Sequence, residues 1–506
     1  MSTFFLGLSI LGILAGLFSC SELKRADQNQ SLFLSDSFEI GSVLFENKNR
    51  QGDRVYIKFD TSRQDYCLWS VESQSFSIVN FTDLQVLMNL DLDTIVDFEV
   101  SDFSLKGDSL LLCGAHSELA LFNFADRSTT VFDVEAAFCD QVQRTYSFYN
   151  FPLYLENGQA YLHASTYDYR NYAHDFQQQQ QFFSLPVEMK FDLSSAVGSC
   201  FGKFPASYLS SENKFYQWPP FRARLDESSF YCYPHVDSIF KYTDALGTNK
   251  SVGCRSALFT GELIAVDKSR YNDYSYLGDY ILQNDQIAQI IPDEYRNLIY
   301  VVCIPGTDPD PEMRFRRSDL AFTIMVFDAN LEYLREVYFP PGNWRYELNF
   351  VNPSGLFLQK LNKTGDTTLA YDGFDLSKKG SSPKVASPKE LVKKEEIVPL
   401  GRYFRDSLKI NADVDTVIVI SSLGCKGCLE SKLAEINQTG SLSRYAIITD
   451  SKTAKIHTVQ KIIENKNQMY IDSSDRITRY RTIGDFLTLI VLRGDSLVAV
   501  DKDFGF

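Results

Sequence analysis

Asp415–Asn437 reads DTVIVISSLGCKGCLESKLAEIN, and its reading decides what the end of the chain is. Thr416–Ile420 is an unbroken β-branched run, the composition that a strand buried on both faces requires. Ser421–Gly424 supplies a short turn into Cys425-Lys426-Gly427-Cys428. Leu429, Leu433 and Ile436 then recur at spacings of four and three, which predicts a helix with one apolar face. Strand, turn, cysteine pair and helix together put Cys425 at a helix N-terminus. Unsatisfied N–H groups and the helix dipole favour a thiolate there, and Lys426 adds a positive charge beside it. The thiolate is the nucleophile of disulfide exchange, so the pattern points to redox chemistry.

Zinc is disfavoured, because no second C-x-x-C or Cys/His pair follows at usable spacing and His457 is the only histidine nearby. Copper held by the two thiolates lacks an evident third ligand. No metal or other cofactor is therefore expected. Downstream, Tyr445–Thr449, Gln468–Asp472, Phe486–Leu492 and Ser496–Val500 read as strands, Thr453–Glu464 as a helix and Asp475–Tyr480 as a helical turn or two. Arg493-Gly494-Asp495 turns the last two strands into a hairpin.

With these elements in place, residues 401–506 resemble the thioredoxin-like fold, especially tethered envelope thiol reductases. The shared features are the strand–CxxC–helix opening, the YIDSSDRITRY stretch and the closing hairpin. The resemblance implies that Cys425 attacks a partner disulfide and Cys428 resolves the mixed disulfide. It further implies a disulfide-bearing protein substrate and a membrane electron donor, with Lys426 and Leu487 facing the substrate. Three departures stand out: Leu487 occupies the place of the family's proline, Gly424 replaces the aromatic residue before the first cysteine, and the last helix is missing. The proline helps present a substrate backbone and keeps metals off the sulfurs. A structural or vestigial cysteine pair is the alternative reading.

The chain's other end is an address. Phe4–Phe18 is an apolar run too short to span a bilayer as a helix. Leu17-Phe18-Ser19-Cys20 resembles the bacterial lipobox, which implies a signal peptide over 1–19 and lipidation of Cys20. Ser21 resembles the residue of lipoproteins sent to the outer membrane, periplasmic or surface-facing, although Met1-Ser2-Thr3 lacks the usual basic residue. Two or more acyl chains would anchor the protein stably, and residues 20–37 would form the lipidated cysteine and its tether. Seven cysteines remain beyond Cys20 and the pair: Cys67, Cys113, Cys139, Cys200, Cys232, Cys254 and Cys303. An odd number cannot form a complete disulfide framework, and several lie in apolar strands, as buried small hydrophobes would.

At 506 residues the chain is long enough for two or three domains, and 44% hydrophobic content fills their cores. Aromatic content of 14%, with 28 Tyr and 39 Phe, leans towards β structure. A net charge of −15 argues against a nucleic-acid binder, which would carry a basic surface.

Between Phe38 and Asp375 a strand pair recurs. Its first member follows a polar turn: Val55–Phe59, Leu110–Cys113, Ala160–Ala164, Phe230–Tyr233, Ile299–Cys303 and Leu356–Gln359. Its second runs into an acidic turn: Cys67–Glu72, Leu119–Asp126, Val187–Asp192, Ser238–Asp244, Thr323–Asp328 and Leu369–Asp372. Six such units start 50 to 70 residues apart, which predicts a mainly β six-bladed propeller over 38–375 rather than one or two β-sandwiches. The pattern, Asp293–Tyr300 and Ile324–Asp328 above all, resembles an uncharacterised family of six-bladed β-propeller lipoproteins from Gram-negative envelopes. That resemblance implies a fold and an address but no activity.

Two insertions interrupt the repeat: Thr166–Phe183, rich in Tyr and Gln with His174, and Tyr208–Phe221 with Trp218. Aromatic and amide side chains on clustered loops suit a peptide or glycan, or simply pack on their own blade. No paired-carboxylate motif, G-x-S-x-G elbow, P-loop or H-E-x-x-H occurs. Residues 376–400, rich in Ser, Pro and Lys at their start, read as the linker to a small α/β thioredoxin-like domain. Leu400, Tyr403, Phe404 and Leu408 would be the buried side of a helix within Glu390–Leu408.

Overall fold

The structure is a computed structural model. It describes residues 32–46, 54–60, 62–139, 142, 144–147, 151–165, 182–209, 220–243, 248–259, 261, 274–307, 320–361, 368–378, 400–410, 416–420, 446–450, 469–472, 477, 487–493 and 496–501. These fall into two units, 32–378 and 400–501.

Six antiparallel sheets make up the first unit, and they are the blades of a propeller. Blade 1 comprises Val55–Asp60, Asp65–Ser70, Ser75–Asn80 and Val86–Asp91; blade 2 comprises Val100–Lys106, Ser109–Gly114, Leu119–Asn123 and Thr129–Phe132. In blade 3 the first strand is split into Arg144–Tyr146 and Tyr154–Glu156, followed by Gln159–Ser165, Glu188–Asp192 and Val197–Phe201. Blade 4 holds Phe221–Leu225, Ser228–Tyr233, Val236–Thr243 and Thr248–Gly253; blade 5 holds Gln286–Asp293, Leu298–Ile304, Phe322–Asp328 and Tyr333–Phe339. Blade 6 has Trp344–Asn352, Gly355–Lys360 and Thr368–Phe374, and takes its fourth strand, Glu39–Glu46, from the start of the chain. That strand pairs antiparallel from Glu39↔Phe374 to Glu46↔Thr368 and closes the ring. Just before it, Leu32–Leu34 adds a parallel fifth strand to the edge of blade 5.

The strands are short because tight turns stop them. Blade 3 turns through Asn157-Gly158, both at positive φ, the two-residue hairpin geometry that glycine and asparagine tolerate. Blade 4 makes the same turn with Asp226-Glu227, at φ 48 and 57. No blade hides both its faces alone, so apolar residues of adjacent blades interdigitate. Phe103, Leu110 and Leu112 of blade 2 meet Trp69, Phe76 and Ile78 of blade 1. Phe45, Phe350, Phe357 and Tyr371 of blade 6 meet Val55, Ile57 and Tyr66 across the closure. Edge-on aromatic contacts such as Phe45–Tyr66 at 5.1 Å add to the area buried there.

The six-unit repeat stands, with one shift of phase. In blades 2 to 6 the sequence-derived pair is the second and third strand; in blade 1 it is the first and second. The counterparts in blade 1 are Asp65–Ser70 and Ser75–Asn80. Packing of this unit also runs past Asp375, because Leu376 is fully buried. A helix that the sequence reading missed, Tyr274–Gln283, lies between blades 4 and 5.

The second unit contains one mixed sheet in the order Met469–Asp472, Ala446–Asp450, Thr416–Ile420, Leu487–Arg493, Ser496–Asp501. The first three strands are parallel and the last two antiparallel. Val417, Ile418, Val419 and Ile420 are all buried, as the β-branched run requires. Leu400, Tyr403 and Phe404, on a helical turn that widens into a π-turn over Tyr403–Ser407, are buried in the same core as Val417, Val419 and Ile448. Among the described residues no helix is long and apolar enough to cross a membrane.

Candidate functional sites

Strands alternate in direction within a blade, so one end of the propeller collects the first-to-second-strand turns. The other end collects the second-to-third-strand loops and the links between blades. The strands that flank both insertions turn at this second end, as do those on either side of the link between blades 4 and 5 and of the second-to-third-strand connection of blade 5. His174, Trp218 and most of the insertions lie outside the described residues.

Beneath that end is an aromatic layer formed by Phe151, Phe182, Phe183, Phe204, Tyr208 and Tyr233. His163 is fully buried with Nδ1 2.8 Å from the Val187 carbonyl and its ring 4.7 Å from that of Phe151. Burial pulls its pKa down to about 3, against a weaker upward pull from that carbonyl. His235, packed 5.7 Å from Tyr280, is likewise pulled down by burial, to about 4. Both rings are neutral at pH 7. The Asp285 carboxylate accepts from Gly261 N at 3.0 Å and Gly306 N at 2.7 Å, tying the link between blades 4 and 5 to the second-to-third-strand loop of blade 5.

An ion-pair network that hydropathy could not reveal joins blades 3 and 4. Arg222 and Glu188, both 0% exposed, pair directly. Arg222 also donates to the Pro152 carbonyl and lies 4.2 Å from the Phe151 ring centre. The second Glu188 oxygen accepts from Ser229 Oγ at 2.8 Å and from the Tyr231 hydroxyl. Arg224 pairs with Glu156 at 2.9 Å and stacks on Tyr161 at 3.5 Å. Both Glu188 oxygens accept hydrogen bonds, and the cluster ties blade 3 to blade 4.

The cysteines divide clearly. Cys139 and Cys200 form a disulfide joining the segment after blade 2 to the outer strand of blade 3. Sequence alone offered no means of choosing this pair. Cys67, Cys113, Cys232, Cys254 and Cys303 are free and buried, as expected for small hydrophobes. Burial raises all five thiols, Cys113 to about 12, so none is a nucleophile. Cys254 and Met325 bring their sulfurs to 3.6 Å. Among the described residues no three His, Cys, Asp or Glu side chains are arranged to hold a metal ion.

Cys20, Cys425, Lys426 and Cys428 lie outside the described residues. The backbone of Leu487 is described. It pairs with Ile420, the last residue of the central strand and five positions before Cys425. Ile420, Asp450 and Asp472 end the three parallel strands on the same side of the sheet, and Leu487 opens its strand there. In open sheets of this kind, ligands bind at the carboxyl ends of the parallel strands.

No family model matches the chain, and no curated protein matches it. Solved structures do. A member of the DUF4221 family from Bacteroides vulgatus aligns with a TM-score of 0.54 at 13% identity, over 69% of this chain and 99% of that one. The likeness shows the fold alone. A protein described as exported, from Bacteroides fragilis, aligns with a TM-score of 0.39 at 11% identity, over 68% of this chain and 97% of that one.

Proposed function

We propose that this is a lipid-anchored cell-envelope protein in which the propeller recognises a partner and a thioredoxin-like unit exchanges thiols with that partner's disulfide. The observation that carries the reading is the strand order of the second unit. A central strand leading into Cys425-Lys426-Gly427-Cys428 is flanked by a parallel strand on one side and an antiparallel hairpin on the other. The Ile420↔Leu487 register supports Leu487 as the residue beside the motif, where the thioredoxin-like fold presents a substrate backbone. In the exchange, the Cys425 thiolate attacks one partner sulfur and expels the other as a thiolate. Cys428 then attacks the mixed disulfide, leaving an oxidised Cys425–Cys428 pair and a reduced partner. A dithiol-type membrane donor would return the two electrons. The Cys139–Cys200 disulfide and the apolar leader ending in Cys20 support an oxidising, extracytoplasmic address at the outer membrane. The many-looped end of the propeller suits a peptide or glycan of the partner.

Leucine rather than proline at 487 favours a second reading, a non-enzymatic scaffold with a structural cysteine pair. Titrating the Cys425 thiol in the full chain separates the two. Redox function requires a thiol pKa of about 7 or below, against about 8.5 for a free cysteine, and disulfide reduction that Cys425→Ser abolishes. An ordinary thiol pKa, together with a potential below about −300 mV and no turnover, would establish the scaffold. Anchoring is checked separately: Cys20→Ala should release the protein from membranes.

A further inference from the structure

We propose that the outer rim of blades 5, 6 and 1, at the end of the ring where the outermost strands begin, lies against the lipid bilayer. The inference rests on the lipid anchor proposed at Cys20 and is independent of the cysteine pair. It names the surface that the anchor brings to the membrane.

Leu32–Leu34, on the edge of blade 5, follows Cys20 closely in the chain. Only residues 21–31 separate the two, a reach of at most about 40 Å even fully extended. The three residues run parallel to the outermost strand of blade 5, with Leu32 level with Glu336 and Leu34 with Tyr338. The segment is therefore directed from the side where that strand begins, at Tyr333 and Leu334. The outermost strands of the blades run in the same sense, and their starts lie at the end of the ring opposite the insertions.

That part of the rim is apolar. Of the eight large apolar side chains exposed among the described residues, five lie on the outermost strands of these three consecutive blades. They are Leu334 on blade 5, Ile40 and Leu44 on blade 6, and Val86 and Leu87 on blade 1. All but Leu44 fall at the first or second position of their strand, and so at one level of the ring. Contacts beneath make the arc continuous. The Arg335 guanidinium lies 5.9 Å from the Phe38 ring centre, which sets Leu334 beside the strand that carries Ile40. Val43 of blade 6 and Leu84, in the turn leading to Val86, pack on one apolar cluster. Exposed apolar side chains grouped in this way mark a contact surface. Glu39, Asp83 and Glu332 stand exposed at the same end, so apolar burial rather than attraction to anionic headgroups holds the rim. The anchor keeps this rim within reach of the bilayer, which favours lipid over a second copy of the chain as its occupant.

Tryptophan substitutions read the contact in the protein purified from membranes and reconstituted into phosphatidylcholine vesicles with brominated acyl chains. Flotation with the vesicles first checks the anchor. Val86→Trp and Leu334→Trp should then lose most of the emission that the added indole contributes, relative to unbrominated vesicles. Val131→Trp and Val197→Trp, on the outermost strands of blades 2 and 3, should keep theirs. All four positions are exposed, so folding is not at risk. If the protein floats but Val86→Trp and Leu334→Trp are not quenched, or if all four variants are quenched alike, the rim contact is overturned while the anchor stands. Absent quenching together with dimers in detergent would make a second copy the occupant and overturn it too. Failure to float overturns the anchor, and the rim contact with it.

Discussion

His163 and His235 make the propeller acid-sensitive by an amount that can be worked out. Burial holds their folded pKa values near 3 and 4, below the ordinary value of about 6.5. As pH falls through 6.5, the unfolded chain takes up protons that the folded chain refuses, so stability drops. The loss continues until the folded pKa is reached and then levels off. Between pH 8 and pH 5 each ring accounts for on the order of 2 kcal/mol, and the two together for about 4 kcal/mol. That is a large share of a typical domain's stability of about 5–15 kcal/mol. Urea unfolding followed by tryptophan fluorescence at about pH 8 and pH 5 measures it. Carboxylates also contribute over this range, so the diagnostic quantity is the difference between wild type and variant. His163→Gln should remove about 2 kcal/mol of the wild-type pH dependence whatever it does to stability at pH 8. His235→Gln should remove a similar amount. If both variants retain the full wild-type dependence, the histidines are not held neutral by burial and the argument fails.

Two further perturbations probe the joints between blades. Replacing Cys139 and Cys200 by alanine frees a loop of 61 positions and should lower stability by up to about 4 kcal/mol, read as a fall in the urea midpoint; an unmoved midpoint would mean that the bond constrains nothing. Arg222→Met strands the buried Glu188 charge and should destabilise by about 3–5 kcal/mol, while adding Glu188→Met should recover most of the loss. Failure of the double variant to recover would show that the pair contributes net stability rather than mutual compensation.

The repeat was legible because its second and third strands are buried on both faces and read as apolar runs, Leu298–Ile304 and Phe322–Asp328 most plainly. The innermost strands were less so. Phe221–Leu225 reads FRARL, and its two arginines look solvent-exposed until Glu188 and Glu156 arrive from blade 3 to meet them. In blade 1 the innermost strand carries the apolar signal that a second strand carries elsewhere, because its Val55 and Ile57 are buried against blade 6. In the second unit the β-branched run foretold the central strand, and the register at Leu487 followed only from the pairing.

The closure of blade 6 imposes an order on biogenesis. Ser42 meets Asp372 at 2.7 Å across a separation of 330 positions, so an early-emerging strand has no partner until nearly the whole ring has been synthesised. During that wait, Glu39–Glu46 presents an unpaired edge, and slow long-range pairing leaves such an edge open to self-association. A chain exported through a membrane would meet this interval on the far side, where a holdase able to cover one lone strand would decide how much of it matures.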